Sequence, residues 1–127
     1  MAKNKDFMNY RITKGKEGEL LVAQHLQKEG YTVITHNYRK RFGEIDLIVQ
    51  KDDTIAFVEV KWRHNPLVDP AELIGPSKQK KIIAIAKEFL SKHTNLDVVC
   101  RFDVALIEEN NNSINLLYIP NAFTTFD

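Results

Sequence analysis

The chain has 127 residues, of which 43% are hydrophobic and 28% are charged, and its formal net charge is +1. This length supports one compact domain over residues 1–127, and the balanced charge argues against a strongly basic coat that binds nucleic acid non-specifically. The sequence contains no apolar run long enough for a transmembrane helix, and residues 1–6 are too polar for a signal peptide. The single cysteine, Cys100, is expected in the core and cannot form an internal disulfide. A cytoplasmic protein without membrane association is therefore expected.

An amphipathic helix is predicted over residues 15–29, after a first ten residues that could form a flexible tail. Its apolar stripe contains Val22, Ala23 and Leu26, and Gly30 is placed to end it. Glu19 precedes these three residues by three, four and seven positions, so it lies on the same stripe and should point toward the sheet. The alternative is an ordinary acid at the edge of the core.

Strands are predicted at residues 31–37, 43–50 and 54–63, and together they form an antiparallel meander. A proline-punctuated loop at 64–75, expected to be mobile, leads to a second helix that Ser77 caps and that runs to about Ser91. Strands at 97–107 and 113–119 follow. A helical crossover makes the third and fourth strands parallel. The sequence thus predicts an α/β fold with a mixed sheet and the element order α-β-β-β-α-β-β.

Two acids and a lysine interrupt the apolar second and third strands: Asp46, Glu59 and Lys61. If the hairpin loop is two or four residues long and centred on Asp52 and Asp53, Asp46 faces Glu59 with Cβ atoms about 4.5–5.5 Å apart. A loop of odd length would break this register. Lys61 shares the face of Glu59, because side chains alternate along a strand. Two carboxylates in this position repel each other unless a cation lies between them, so the pattern predicts a divalent-metal site.

A simpler interpretation is that the Glu-x-Lys pattern forms a solvent-exposed face with a weak ion pair. That interpretation requires Ile55, Phe57, Glu59 and Lys61 to share a face that is neither clearly core nor clearly solvent. A partly buried site fits the mixed face better.

Basic residues cluster near these strands and at the start of the second helix. Lys78 and Gln79 are predicted to contact phosphate at the helix N-terminus, where the helix dipole assists. The side chains of Arg39, Arg41 and Arg63 could follow a nucleic-acid backbone. Each cluster alone could be an ordinary solvated patch. The hypothesis is that they converge around the acids on one face.

Several motifs together resemble the YraN family over nearly the whole chain. They are Gly18-Glu19, Asn37-Tyr38-Arg39, Gly43-Glu44-Ile45-Asp46-Leu47-Ile48, Phe57-Val58-Glu59-Val60-Lys61-Trp62-Arg63, Lys78-Gln79, Arg101-Phe102-Asp103-Val104 and Asn121-Ala122-Phe123. This family is an uncharacterised bacterial group with a restriction-endonuclease-like fold, placed with the PD-(D/E)xK nucleases and near the Holliday junction resolvases.

The resemblance implies a three-layer restriction-endonuclease-like fold in which Asp46 and Glu59 hold a divalent metal and Lys61 is the catalytic lysine. Glu19 matches an acid that some relatives supply from the first helix. One departure is that Ile45 stands where the superfamily name has proline.

The expected ion is Mg²⁺ or Mn²⁺, coordinated by Asp46, Glu59, Glu19 and the backbone carbonyl of Val60. Lys61 beside two carboxylates is expected to stay an ammonium and to donate rather than accept a proton. The predicted function is a metal-dependent endonuclease or exonuclease, with structured DNA rather than RNA as the expected substrate. The alternatives are a non-catalytic nucleic-acid-binding module and an interaction protein with no nucleic-acid role. A resolvase-like role would require a homodimer.

Overall fold

The computed structural model describes residues 2–63, 74–93 and 97–124, with side chains from residue 15 onward. It consists of two helices and five strands. In chain order these are α1 (Ala2–Lys28), β1 (Thr32–Lys40), β2 (Gly43–Lys51), β3 (Thr54–Arg63), α2 (Pro76–His93), β4 (Val99–Asn110) and β5 (Ser113–Phe123). The predicted α/β class and element order are confirmed.

The strands form one mixed sheet in the order β1-β2-β3-β4-β5. β3 and β4 are parallel, and the other neighbouring pairs are antiparallel. The parallel pair was predicted from the crossover through α2, because a chain that leaves one end of a strand must return to the other end. The described part of α1 packs on one face of this sheet and α2 packs on the other.

Each face of the sheet carries its own hydrophobic core. On the α1 face, Val22, Ala23 and Leu26 pack against Leu47, Val49, Val58, Ala105 and Ile107. On the α2 face, Ile82, Ile85, Ala86 and Phe89 pack against Ile48, Phe57, Phe102 and Val104. Alternating side chains therefore give the central strands two buried faces, which explains why they are apolar almost throughout. A charged side chain on these strands avoids the two cores only where a helix no longer covers the sheet.

The hairpin between β2 and β3 has the predicted register. Lys51 pairs with Thr54 across a two-residue loop of Asp52 and Asp53, and pairing continues to Leu47 and Val58. Asp52 adopts a left-handed φ of 54°, a conformation that aspartate tolerates better than most residues. The ladder ends at Leu47 and Val58, so Asp46 and Glu59 come directly after its last paired residues.

Some element boundaries differ from the prediction. α1 begins at Ala2, so residues 2–10 are helical where a tail was predicted. β1 continues to Lys40 because Asn37, with φ 51°, interrupts the strand without ending it. β4 and β5 are also longer at their C-terminal ends than predicted.

Cys100 is exposed, so the prediction of a core cysteine was wrong. The pairing of β5 with β4 ends at Phe102, which leaves Cys100 without a β5 neighbour. The predicted mobile loop lies mostly at residues 64–73, outside the described residues. Neither helix is both long and apolar enough, over its described residues, to cross a membrane.

Candidate functional site

Asp46 of β2 and Glu59 of β3 are buried side by side beyond the last paired residues of their hairpin. Their relative exposures are 9% and 6%. Glu59 follows Ile55 and Phe57 on the α2 face, and α2 contributes the neighbouring Lys78. Burying a carboxylate without compensation is costly, so two adjacent buried carboxyl groups indicate a site rather than a packing solution.

The carboxylate of Asp46 is hydrogen-bonded to the backbone of β3. Its Oδ2 atom accepts a hydrogen bond of 2.8 Å from the backbone N–H of Val60. The bond replaces a strand-to-strand hydrogen bond at the point where the β2–β3 ladder ends. Burial nevertheless raises the pKa of Asp46. The role of the Val60 carbonyl as a metal ligand stays a prediction.

The two carboxyl groups are electrostatically coupled. Burial, and then the charge of Asp46, raise the pKa of Glu59 to about 7, although Lys78 acts in the opposite direction. The contact with Glu59 acts to lower the pKa of Asp46, but burial outweighs this effect. Two acids coupled in this way titrate as a pair. Both acids therefore keep their protons to higher pH than exposed carboxyl groups do.

One oxygen of Glu59 has a cationic partner and the other has none. Lys78 Nζ lies 3.0 Å from Oε1. Oε2 is buried and lacks a hydrogen-bond partner among the described residues. An unpaired buried carboxylate oxygen beside a second carboxylate matches the hard oxygen donors that Mg²⁺ and Mn²⁺ prefer. The two acids therefore fit a divalent cation chemically.

Lys61 is half-buried on the same face of β3 as Glu59. The net shift of its pKa differs from the prediction. Burial and the adjacent Lys78 lower the pKa of Lys61, and these effects outweigh the acids. Glu59 and Asp46 favour the ammonium, as predicted, but burial and Lys78 act more strongly in the opposite direction. Burial also acts to lower the pKa of Lys78, but its contacts with Glu59 and Lys61 raise it overall. Lys78 is therefore the lysine that keeps its positive charge beside Glu59.

Glu19 of α1 lies near the site without joining the carboxylate pair. Its Oε2 accepts a hydrogen bond of 3.0 Å from Asn37 Nδ2. Burial raises the pKa of Glu19, and the nearby Asp46 raises it further. Among the described residues, no three acidic, histidine or cysteine side chains gather closely enough to hold a metal. Coordination by Glu19 therefore stays a prediction.

Asn37 was given no role from the sequence. It lies between His36 and Tyr38, which pair with Leu47 and Ile45, so it is opposite Asp46. Its φ of 51° is unusual for a residue inside a strand and is better tolerated by asparagine than by most residues. With this backbone conformation, the side-chain amide of Asn37 lies within hydrogen-bonding distance of Glu19. The sequence offered no signal for it beyond the motif Asn37-Tyr38-Arg39.

A cleft of about 540 Å³ opens beside Glu59. Its walls include Phe42, Glu44, Lys78, Lys81 and Ile82. The cleft therefore joins the turn between β1 and β2 to the first turns of α2. Glu59 is part of this lining, so one member of the carboxylate pair borders the cleft.

The predicted nucleic-acid contacts occupy different positions around this cleft. Lys78 lines it, whereas the Gln79 side chain donates to the carbonyl of Ile74 at 2.8 Å and supports the start of α2. Arg39 forms an ion pair of 3.2 Å with Glu44, which is itself in the cleft wall. Arg41 is exposed in the β1–β2 turn, and Arg63 is half-buried at the end of β3. Lys78 thus lines the cleft and Arg39 contacts its wall only through Glu44, while the Gln79 side chain is bound to the backbone at the start of α2.

Residues 18–107 match the model of a family described as "Uncharacterised protein family UPF0102". This span contains Glu19, Asp46, Glu59, Lys61 and Lys78. A UPF0102 protein of Chloroherpeton thalassium is 41% identical over 127 residues, covering 93% of this chain and 98% of the relative. One of Treponema pallidum is 40% identical, covering 86% and 90%. Another, from Desulforapulum autotrophicum, is 37% identical, covering 92% and 98%.

Proposed function

Since the chain belongs to the uncharacterised protein family UPF0102, the YraN family, we propose from its site that it is a metal-dependent nuclease. The proposed fold is restriction-endonuclease-like, and the proposed reaction is hydrolysis of phosphodiester bonds in nucleic acid, with structured DNA as the expected substrate. The observation that carries this function is the buried pair Asp46 and Glu59, in which one Glu59 oxygen has no hydrogen-bond partner within the described parts of the chain, with Lys61 alongside. A cytoplasmic location is consistent with such a substrate.

Asp46 and Glu59 would hold Mg²⁺ or Mn²⁺, with Glu19 and the Val60 carbonyl as further proposed ligands. When bound, the ion would lower the pKa of a coordinated water and stabilise charge on the phosphate oxygens. Asp46 is oriented for this role by the Val60 N–H, which fixes one of its oxygens. Glu59 is fixed by Lys78 at one oxygen.

Lys61 is the proposed catalytic lysine. Burial and Lys78 lower its pKa, which is the direction that a proton acceptor needs, and the proposal is that Nζ takes up a proton from the attacking water. Lys78 supports this role, because its ammonium beside Lys61 disfavours a second positive charge. Lys78 and Lys81 line the cleft and can also contact the phosphate backbone.

A second candidate function is a nucleic-acid-binding module without catalysis. The observation in its favour is that each acid already has a structural partner: Val60 N–H for Asp46 and Lys78 for Glu59. In that case the cleft would bind the nucleic-acid backbone and the carboxylate pair would serve packing.

Cleavage of a substrate panel separates these functions. Labelled duplex, single-stranded, flap and four-way-junction DNA, together with RNA, are incubated with Mg²⁺ or Mn²⁺ and wild-type protein, Glu59→Gln or Lys61→Met. Lys80→Met is the matched control, because this exposed lysine lies on α2 and is not among the cleft-lining residues.

We expect metal-dependent cleavage of at least one substrate, lost in Glu59→Gln and Lys61→Met but retained in Lys80→Met. Wild-type protein that binds these substrates in a salt-dependent way but cleaves none supports the binding module. Absence of both binding and cleavage indicates an interaction protein instead. If a junction is cut symmetrically, light scattering should show a homodimer.

A further inference from the structure

Phe42 is an exposed aromatic residue in the turn between β1 and β2. Its side chain is 51% exposed, and the turn consists of Arg41 and Phe42 between the paired residues Lys40 and Gly43. Single exposed apolar side chains are common on protein surfaces and carry little meaning alone. Phe42 differs because it lines the same cleft as Glu59 and Lys78. A large apolar ring thus lies beside the carboxylate pair.

The turn that carries Phe42 is held against α2 by contacts on both of its strands. Lys40 Nζ lies 3.1 Å from Glu88 Oε1 of α2. A Cβ atom at Gly43 would lie 3.3 Å from Ile85 Cδ1, so the backbone approaches α2 closely there. Arg39 and Glu44, which pair across the two strands, are joined by an ion pair of 3.2 Å. The backbone on either side of Phe42 is therefore anchored, which holds the residue that carries the ring at the wall of the cleft.

The charges around the ring suit a polyanion rather than an apolar peptide. Two acids also line the cleft, but Glu44 forms an ion pair with Arg39 and Glu59 forms one with Lys78. Lys81 in the cleft wall and the exposed Arg41 next to Phe42 add positive charge to these pairs. Proteins that bind single strands combine cationic groups along the backbone with aromatic rings on which bases stack. In a paired duplex the base faces are already stacked and the ring has no access to them.

We propose that Phe42 is a stacking platform for an unpaired nucleobase, and that the cleft consequently selects single-stranded or locally unpaired nucleic acid. This inference rests on the proposed function and specifies its substrate class. The phosphate next to the stacked base would lie toward Lys78 and Glu59, within the same cleft.

The test is fluorescence anisotropy with a labelled single-stranded oligonucleotide that carries phosphorothioate linkages to resist cleavage, in the presence of Mg²⁺. The same strand in a duplex and a strand with abasic sites are compared. The variants are Phe42→Ala and Phe42→Tyr, which keeps the ring. Val99→Ala is the matched control, because Val99 is 55% exposed and pairs with Thr54 at the other end of the sheet.

Phe42→Ala should weaken single-strand binding by about 5- to 150-fold, the loss that corresponds to stacking of one base. Phe42→Tyr and Val99→Ala should bind like wild type, and Phe42→Ala should leave duplex and abasic-strand binding within about threefold. The salt dependence of Phe42→Ala should also be unchanged, because its phosphate contacts remain. Thermal melting shows that each variant is folded.

Equal single-strand binding by Phe42→Ala and wild type would overturn the stacking role while leaving the nuclease proposal intact. An equal loss on single-stranded, duplex and abasic probes would overturn it as well, because base stacking would then not be what was removed. Wild-type protein that shows no salt-dependent binding to any probe would overturn both proposals. Cleavage that depends on Glu59 but not on Phe42 would support the nuclease proposal and contradict the stacking role.

Discussion

Lys78 Nζ lies 3.0 Å from Glu59 Oε1, so α2 places an ammonium on one of the two carboxyl groups that we propose as metal ligands. The contact joins two elements that are distant in the chain and lie in different layers. The Lys78 ammonium balances part of the charge of the buried acids. It also lowers the pKa of the neighbouring Lys61.

The stability of the protein in EDTA should fall as the pH rises from about 4.5 to about 7. The pKa of Glu59 is raised from 4.5 to about 7 by burial and by Asp46, so the folded state binds a proton that the unfolded state has already released. Stability is therefore fully present below 4.5 and is lost as pH rises through the folded pKa. The loss is at most about 3 kcal/mol, since one pKa unit is about 1.4 kcal/mol. Urea unfolding across this range measures it.

Glu59→Gln provides the control for that dependence. The amide cannot ionise, so the variant should be more stable than wild type at pH 8 and should lack most of the decline. A Glu59→Gln variant whose unfolding free energy has the same pH dependence as wild type would show that another group is responsible.

Asp46→Asn and Asp46→Ala should differ in stability by about 1–3 kcal/mol, with the alanine variant less stable. Alanine leaves the Val60 N–H without the acceptor that now lies 2.8 Å away, whereas asparagine can keep an acceptor oxygen there. Both variants should lose divalent-metal binding. Chemical denaturation in EDTA measures the difference, and equal stabilities would contradict the role of this hydrogen bond.

Lys61 should titrate below an ordinary lysine, and removal of Lys78 should raise its pKa. Burial and then Lys78 lower the pKa of Lys61, while Glu59 and Asp46 act in the opposite direction. In Lys78→Met the positive charge that opposes protonation of Lys61 is gone, while Glu59 and Asp46 still favour the Lys61 ammonium. NMR of ¹³C-labelled lysine, assigned through Lys61→Arg, measures both values in EDTA. A Lys61 pKa that does not change in Lys78→Met would contradict the coupling.

Gly18→Ala and Gly15→Ala should have opposite effects on stability. A Cβ atom at Gly18 would lie 3.1 Å from Ile107 Cδ1 and 3.3 Å from Trp62 Cε3, which overpacks the contact between α1 and the sheet. At Gly15 nothing lies within 4 Å. Gly15→Ala should stabilise the helix by about 0.5–1 kcal/mol, and Gly18→Ala should destabilise the protein by about 1 kcal/mol. Thermal unfolding measures both, and a stabilised Gly18→Ala would contradict the close packing beside Glu19.

Local sequence signals were sufficient for the strand framework of the site. The turn at Asp52 and Asp53 fixes the hairpin register by its length, and alternation then places Glu59 on the face of Phe57. Both depend on neighbours within a few residues, which is why they could be predicted. The parallel arrangement of β3 and β4 followed from the helical crossover in the same way.

The electrostatics of the site could not be predicted from the same signals. The pKa of Lys61 was expected to be set by two acids on adjacent strands, but burial, and then Lys78 from α2, outweigh those acids. Likewise, Asn37 reaches Glu19 only because an irregularity in β1 turns its side chain toward α1. The cleft position of Phe42 depends on how the turn packs against Ile85. Contacts between layers decide these features, and no local pattern encodes them.

Isothermal titration calorimetry with Mn²⁺ at pH 8, on wild type, Asp46→Asn and Glu59→Gln, tests the shared carboxylate site most directly. We predict saturable binding by wild type that is lost in both variants, with Lys80→Met binding like wild type. At pH 6.5, binding by wild type should weaken and should release a proton from the carboxylate pair, because Mn²⁺ binds the ionised acids. Absence of saturable binding, or binding that is unchanged when either acid is neutralised, would contradict a metal centre at Asp46 and Glu59.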